Sequence, residues 1–381
     1  MPKRAVILSG SLGSGHDVIA EAVTASLARL GWESRTLDCM GMLGHHAGQA
    51  GDWVFRRLMA MPGLYDGLHY AHLRPGSRLA KAMDTAATSR LVPVLHAELR
   101  REPADLIAAL FATGASAVAQ LDEATVGYRT VVLCADAVPH SLWVREGIDL
   151  FLVTSAAAAT SVRRYVPRAH VRVVPPPVRP AFYDRLSQTT ARRSFGIPPY
   201  AQCVLLMGGG WGLGPLEDAA GALADAGVHV LAVAGRNHRL AARLEDLARR
   251  APRVHPFGFT KRIVELMNAC DVVVTLPGAA TCAEARVVGR RLVLLDAMPG
   301  HGRENLQHEL ELGGADVCSP RPAELTTAVL AALNRAGSPS SGGRPAGEWD
   351  RAFAAALASI DLEMEPGSPQ TAQACQEAGC R

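Results

Sequence analysis

A histidine, two glycine-rich loops and a glutamate follow apolar runs of this sequence, at the kind of place where a phosphorylated ligand is handled. The first run, Ala5-Val-Ile-Leu8, enters Ser9-Gly10-Ser11-Leu12-Gly13-Ser14-Gly15-His16. Packed glycines let the backbone come close to a ligand, and the N-terminus of a helix starting there favours negative charge. His16 is then either a polar helix cap or an acid/base group facing a cleft above a sheet. The second loop, Gly208-Gly209-Gly210-Trp211-Gly212-Leu213-Gly214, holds five glycines in seven residues. That costs chain entropy which a tight turn alone does not require, whereas a pyrophosphate held by backbone N–H groups does. Glu284 stands three residues after Thr281, next to the small-residue turn Gly278-Ala279-Ala280-Thr281. Thr-Cys-Ala-Glu has the spacing of a capping box; a carboxylate there can equally accept both hydroxyls of a ribose. Beyond the next apolar run lies a polar loop, Pro299-Gly300-His301-Gly302-Arg303-Glu304-Asn305.

Several chemistries are disfavoured. Gly10, Gly13 and Gly15 do not keep the GxGxxG register of a dinucleotide loop, although Asp38 lies at a suitable distance beyond them. No GK[ST] follows the second loop, so nucleotide hydrolysis has no support. The absence of an Asp-x-Asp motif argues against a metal-chelated nucleotide sugar.

The elements needed to position these groups alternate as strand and helix. Strands are expected near 5–8, 34–37, 106–112, 130–133, 150–153 and 171–174, and again near 203–207, 229–234, 254–257, 271–275 and 292–295, with Glu284 in the first turn of a helix. Two strand–glycine loop–helix openings nearly 200 residues apart suggest two α/β domains. The run Pro175-Pro-Pro-Val-Arg-Pro180 cannot continue a helix or a central strand and reads as the linker. The expected boundaries are 1–178, 190–335, a final helix over 349–362 and a disordered tail over 365–381, with a flexible loop at 336–348. Residues 40–90 interleave aromatic and aliphatic side chains with His45, His46, Arg56, Arg57, Arg74 and Arg78. They form either core or a lipid-facing surface.

With 381 residues, 49% hydrophobic and 20% charged, the chain is expected to be soluble and globular. A net charge of +3, with bases scattered among acids, disfavours nucleic acid. Eight cysteines without a CxxC pair fit buried thiols in a reducing cytoplasm. The short N-terminal apolar run reads as a strand rather than a signal, and no stretch approaches a membrane span.

Taken in order, Gly15-His16, Gly208–Gly214, Ala234-Gly-Arg236-Asn237, Gly258-Phe259, Glu265-Leu-Met267 and Pro299-Gly300…Asn305 resemble the family 28 glycosyltransferases. These include the monogalactosyl- and glucosyl-diacylglycerol synthases and, more distantly, the peptidoglycan N-acetylglucosaminyltransferase that makes lipid II. The likeness runs through residues 5–335 and is strongest over 205–308. It implies an α/β GT-B fold, two Rossmann-like domains facing a central cleft, with the final helix crossing back to the first. It also implies an inverting, metal-independent transfer from a UDP-sugar co-substrate to a lipid or lipid-linked acceptor, with no cofactor. His16 would be the general base and Asp136 its catalytic companion, while Gly13, Ser14, Gly15 and His140 would meet the acceptor. For the donor, Gly209, Gly210, Trp211, Gly212, Gly278, Ala280 and Thr281 would hold diphosphate. Arg236, Asn237 and Phe259 would hold uracil, and Glu284 ribose. His301, Arg303, Glu304 and Asn305 would face the sugar.

Three departures stand out. Ser11 replaces an acid of the plant enzymes, Gly-Ala-Ala-Thr replaces Gly-Pro-Gly-Thr, and Arg303 replaces an acid of the sugar loop. Arg303 suggests a donor other than plain glucose or galactose, an anionic hexuronate in the boldest version. Alternatives are a glycosyltransferase of phosphoglycolipid-type antibiotic biosynthesis, a non-hydrolysing UDP-sugar epimerase, or a nucleotide-sugar-binding regulator. The expected location is cytoplasmic, with peripheral contact to anionic lipid at the inner face of the plasma membrane.

Overall fold

Near-continuous apolar runs make strands that are buried on both faces, the signature of parallel sheets covered by helices. In the computed structural model, which describes residues 2–11, 15–59, 61–121, 127–184, 186–335, 345–360 and 362, twelve such strands form two parallel sheets. The first holds β1 (Arg4–Ser9), β2 (Glu33–Asp38), β3 (Leu106–Ala109), β4 (Arg129–Cys134), β5 (Leu150–Val153) and β6 (Val171–Val173), in the order β2-β1-β3-β4-β5-β6. The second holds β7 (Cys203–Met207), β8 (His229–Val233), β9 (Val254–Phe257), β10 (Val272–Thr275), β11 (Arg291–Leu295) and β12 (Ala315–Cys318), in the order β12-β11-β10-β7-β8-β9. Strand order reverses beside β1 in one sheet and beside β7 in the other, and a crevice opens at such a point above the carboxyl strand ends. The glycine loops leave β1 and β7, so both sit at these reversals.

Strand β12 was not among the expected elements; Ala315-Asp-Val-Cys318 is short and only partly buried at the sheet edge. Residues 40–90 fold as helices, including His45–Met59, Pro62–Leu68, a π-helical turn His69–Leu73 and the start of Arg78–Arg101. Their apolar side chains divide: Met59, Tyr65 and Leu73 are buried, whereas Trp53, Val54, Met61 and Leu64 are exposed. Gly13, Ser14 and the stretches 336–344 and 363–381 lie outside the described residues, so the acceptor role given to the first two and the expected tail find no description here.

The helix Glu348–Ala358 packs Trp349, Phe353, Ala356 and Leu357 among Ile19, Val23 and Leu27 of the first domain. The Trp349 indole N–H donates to Ser26 Oγ at 2.8 Å, and Arg29 grips both oxygens of Asp350 at 2.8 Å. Trp349→Ala would open a cavity in this core, and should lower the free energy of unfolding by about 3–5 kcal/mol, read by urea denaturation. A loss under about 1 kcal/mol would contradict the packing role.

Candidate active site

The first-domain wall is built on the strand ends of β1, β3 and β4. Gly10 lies so close to Phe111 that a Cβ there would stand 2.4 Å from the ring, fixing the loop against the β3 end. The helix Gly15–Arg29 then starts with His16, whose ring meets Phe111 edge-on at 5.2 Å and tilts toward Trp143 at 6.2 Å. His16 Nδ1 is buried and has no hydrogen-bond partner. Burial pushes the His16 pKa below its ordinary value, against the charge of Asp136 and a hydrogen bond to the Leu110 backbone, which favour the protonated ring. Asp38 is engaged elsewhere: its carboxylate accepts from the backbone N–H groups of Ser11, Met40 and Gly41.

Asp136 and His140 follow β4. Burial acts to raise the Asp136 pKa, but His301, His16 and His140 together with a hydrogen bond from Asn305 outweigh it and hold the carboxyl low. Burial drives His140 down to about 3, and its Nδ1 accepts from the Leu142 N–H at 3.3 Å, so the ring is neutral with its proton on Nε2. His16, His140 and His301 therefore surround one carboxylate from both domains.

In the second domain the glycine loop is packed backbone to backbone against the turn after β8. Arg236 N–H donates to the Gly210 carbonyl at 2.8 Å. The Arg236 guanidinium lies 4.9 Å over the exposed ring of Phe259, a flat cationic–aromatic surface of the kind a base stacks on. Asn237 caps the helix His238–Arg250 through Leu240 N–H at 3.0 Å, so its side-chain oxygen has a structural role. Trp211 reaches the first domain, with Phe55 at 5.7 Å and the Arg56 guanidinium 5.1 Å over its ring.

Glu284 requires a correction. The helix Ala279–Val288 is capped by Gly278, so Thr281 is no cap and Glu284 lies beyond the first turn. The capping-box alternative fails because the helix starts earlier than the spacing suggested. Glu284 is 3% exposed and accepts from Arg179 Nε at 2.8 Å. Burial pushes its pKa up to about 7, even with Arg179 beside it. Ala280, in the turn that would meet diphosphate, packs against the core beneath the helix Gly15–Arg29.

The segment 299–305 is also placed differently from expectation: only Pro299 and Gly300 are loop, and a helix, His301–Glu311, starts directly after the Gly300 cap. Rather than facing an open sugar pocket, it is gripped by the first domain. Asp66 accepts from Gly300 N–H at 2.7 Å and pairs with Arg303 at 3.2 Å. Tyr65 Oη lies 3.0 Å from His301 Nδ1. Glu304 is held by Arg74 at 3.1 Å and by His69 Nε2 at 3.3 Å. Asn305 accepts from Ala137 N–H at 2.8 Å and donates to Asp136 at 3.4 Å. Arg303 is thus not the free cation that a hexuronate would need, because Asp66 already matches its charge. Tyr65, Asp66, His69, Arg74 and Arg179 were missed from sequence. The one available signal was the interleaving of histidines and aromatics over 40–90, which has two explanations until the partner domain is in view.

Facing Rossmann-like domains with a cleft at their strand ends define a GT-B architecture. Solved structures agree on the fold: Acinetobacter baumannii MurG superposes with a TM-score of 0.57 at 14% identity, over 94% of this chain and 100% of that one. WaaG, a glycosyltransferase of lipopolysaccharide biosynthesis, does so with a TM-score of 0.51 at 14% identity, over 97% and 98%. Residues 215–326 match the glycosyltransferase family 28 C-terminal domain. Monogalactosyldiacylglycerol synthase of Spinacia oleracea is 26% identical over 84% of this chain and 64% of its own length. A probable monogalactosyldiacylglycerol synthase 2 of Oryza sativa subsp. indica is 32% identical over 50% of this chain and 42% of its own. The chain thus spans less than two thirds of the length of these relatives.

Proposed function

We propose that the protein is an inverting glycosyltransferase that moves a sugar from a UDP-sugar to a hydroxyl, or a phosphate, of a lipid or lipid-linked acceptor. The observation that carries this reading is His16: a half-buried imidazole held neutral by desolvation, with an unpartnered Nδ1, at the first-domain edge of a cleft whose opposite edge is a glycine cradle. In the proposed step the acceptor O–H gives its proton to His16, and its oxygen bonds the anomeric carbon from the face opposite the donor. The bond from that carbon to the diphosphate oxygen breaks, and UDP departs with the electron pair. Backbone N–H groups of the glycine loop and the N-terminus of Ala279–Val288 would meet the charge of the leaving diphosphate. Asp136 would favour the imidazolium that forms.

A lipid acceptor is supported by the names of the plant relatives and by the exposed Trp53, Val54, Met61 and Leu64. No helix among the described residues is long and apolar enough to cross a membrane, so contact with lipid would be peripheral. The test is UDP release from a panel of UDP-hexoses in the presence of diacylglycerol or polyprenyl-phosphate vesicles. Release that depends on acceptor is the expected result, and a panel with no acceptor-dependent release contradicts the reading.

A second reading, a non-hydrolysing UDP-sugar epimerase, draws support from the histidines gathered at Asp136, because that chemistry needs several acid/base groups. It predicts inversion at C2 of the sugar instead of transfer, visible by NMR of the donor alone.

A further inference from the structure

Arg179 stands at the end of the proline linker and touches both domains. Its Nε donates to Glu284 of the second domain at 2.8 Å, and Nη1 lies 3.4 Å from Glu21 Oε2 on the helix Gly15–Arg29 that carries His16. Its guanidinium rests 4.9 Å over Phe182, whose own ring is buried in the second-domain core. The side chain is thereby fixed by stacking and by two carboxylates, one from each side of the cleft. A carboxylate can accept two ribose hydroxyls only when ionised, since the protonated acid turns one oxygen into a donor. Glu284 is buried deeply enough for that to be in question, and Arg179 is the cation that favours its ionised form.

We propose that Arg179 is a positioning residue for the donor: its guanidinium, fixed over Phe182, holds Glu284 aimed at the ribose hydroxyls, and through Glu21 it couples that contact to the helix carrying His16. The inference rests on the ribose role of Glu284 in the reading above. It gives the linker a chemical part beyond joining two domains, because ribose recognition then depends on how the linker lies in the cleft.

The charged groups facing Glu284 are Arg179 from the linker and Glu21 from the helix Gly15–Arg29. Preference for UDP over 2′,3′-dideoxy-UDP, measured by calorimetry against pH, should therefore develop in the wild-type protein as pH rises through about 7, where Glu284 loses its proton. Arg179→Gln removes the cation, so UDP should bind about tenfold or more weakly at pH 7, the scale of one charge-assisted hydrogen bond. The pH at which the preference develops should move upward. Arg179→Lys keeps the charge without the fork, and should keep that pH near wild type while losing only a few-fold in affinity, about the loss of a weaker hydrogen bond. Thermal melts of both variants verify folding. A wild-type preference and midpoint left unchanged by Arg179→Gln overturn the inference alone. A midpoint in Arg179→Lys displaced as far as in Arg179→Gln also overturns it. A wild-type protein that binds UDP and its dideoxy analogue equally overturns the ribose role of Glu284, and the inference with it.

Discussion

His16→Ala is expected to lower kcat by about 10²–10⁴-fold, the range a positioned general base contributes, while the Kd for UDP stays within a few-fold of wild type. The separation follows from position. His16 belongs to the first-domain wall beside Phe111 and Trp143, whereas the groups suited to UDP come from the second domain. Calorimetry with UDP and steady-state kinetics with donor and acceptor read the two effects independently, and a UDP affinity that collapses with kcat would remove His16 from the role of base. The pH profile adds a sign. Burial lowers the His16 pKa below the ordinary 6.5. The neutral ring is the base, so kcat at saturating donor should rise with pH through that lowered value and be flat above 6.5, whereas kcat/KM for the donor should rise further through about 7 as Glu284 ionises. Asp136 opposes the shift, so Asp136→Asn should move the acid limb of kcat to still lower pH while reducing its plateau. Because His16, Asp136, His140 and His301 influence one another, the limb belongs to the cluster and not to a single ring.

Why His16 could be singled out from sequence, and Tyr65 or His69 could not, has a physical reason. Parallel strands buried on both faces leave apolar runs that are visible without knowledge of their partners, and the loops that follow them sit at carboxyl strand ends by construction. Which strand each group follows was therefore legible for His16, the glycines at 208–214, Glu284 and residues 299–305, but not that Glu284 lies beyond the first helical turn or that His301–Asn305 are helical. The contacts across the cleft have no local period. Tyr65 and His301 are 236 residues apart, and His69 and Glu304 are 235 apart, so nothing in either segment announces the other. Arg303 illustrates the cost of that blindness. Read alone it is an anion-binding fork; beside Asp66 it is half of a solvent-facing ion pair between the two domains. The same contacts imply that a sugar reaching segment 299–305 must exchange its hydroxyls for first-domain partners, or wait for those partners to withdraw. Arg179 was hidden differently, in a proline run whose composition explained itself as a linker.

The glycine loop yields the sharpest prediction, because its glycines are needed for different reasons. Gly209 and Gly212 both have positive φ, 67° and 59°, so a Cβ at either costs about 1 kcal/mol of backbone strain. Their surroundings differ. A Cβ on Gly212 would stand 2.3 Å from the Ala234 carbonyl oxygen, a backbone atom fixed by β8 and the turn after it, whereas a Cβ on Gly209 meets nothing within 4 Å. Gly212→Ala should therefore lose stability well beyond the strain term, by about 3 kcal/mol or more, since packed backbone has to shift. UDP binding should be lost along with it. Gly209→Ala should lose only about 1 kcal/mol of stability, but its methyl group enters the open space where a diphosphate would approach the loop. Its Kd for UDP should rise by about tenfold or more, as a water-mediated or displaced phosphate contact replaces a direct charge-assisted one. Urea denaturation and calorimetry on the two variants give four numbers. A Gly209→Ala protein that is nearly as stable as wild type and binds UDP equally well would place the diphosphate elsewhere, because the open side of this loop would then have no ligand to lose.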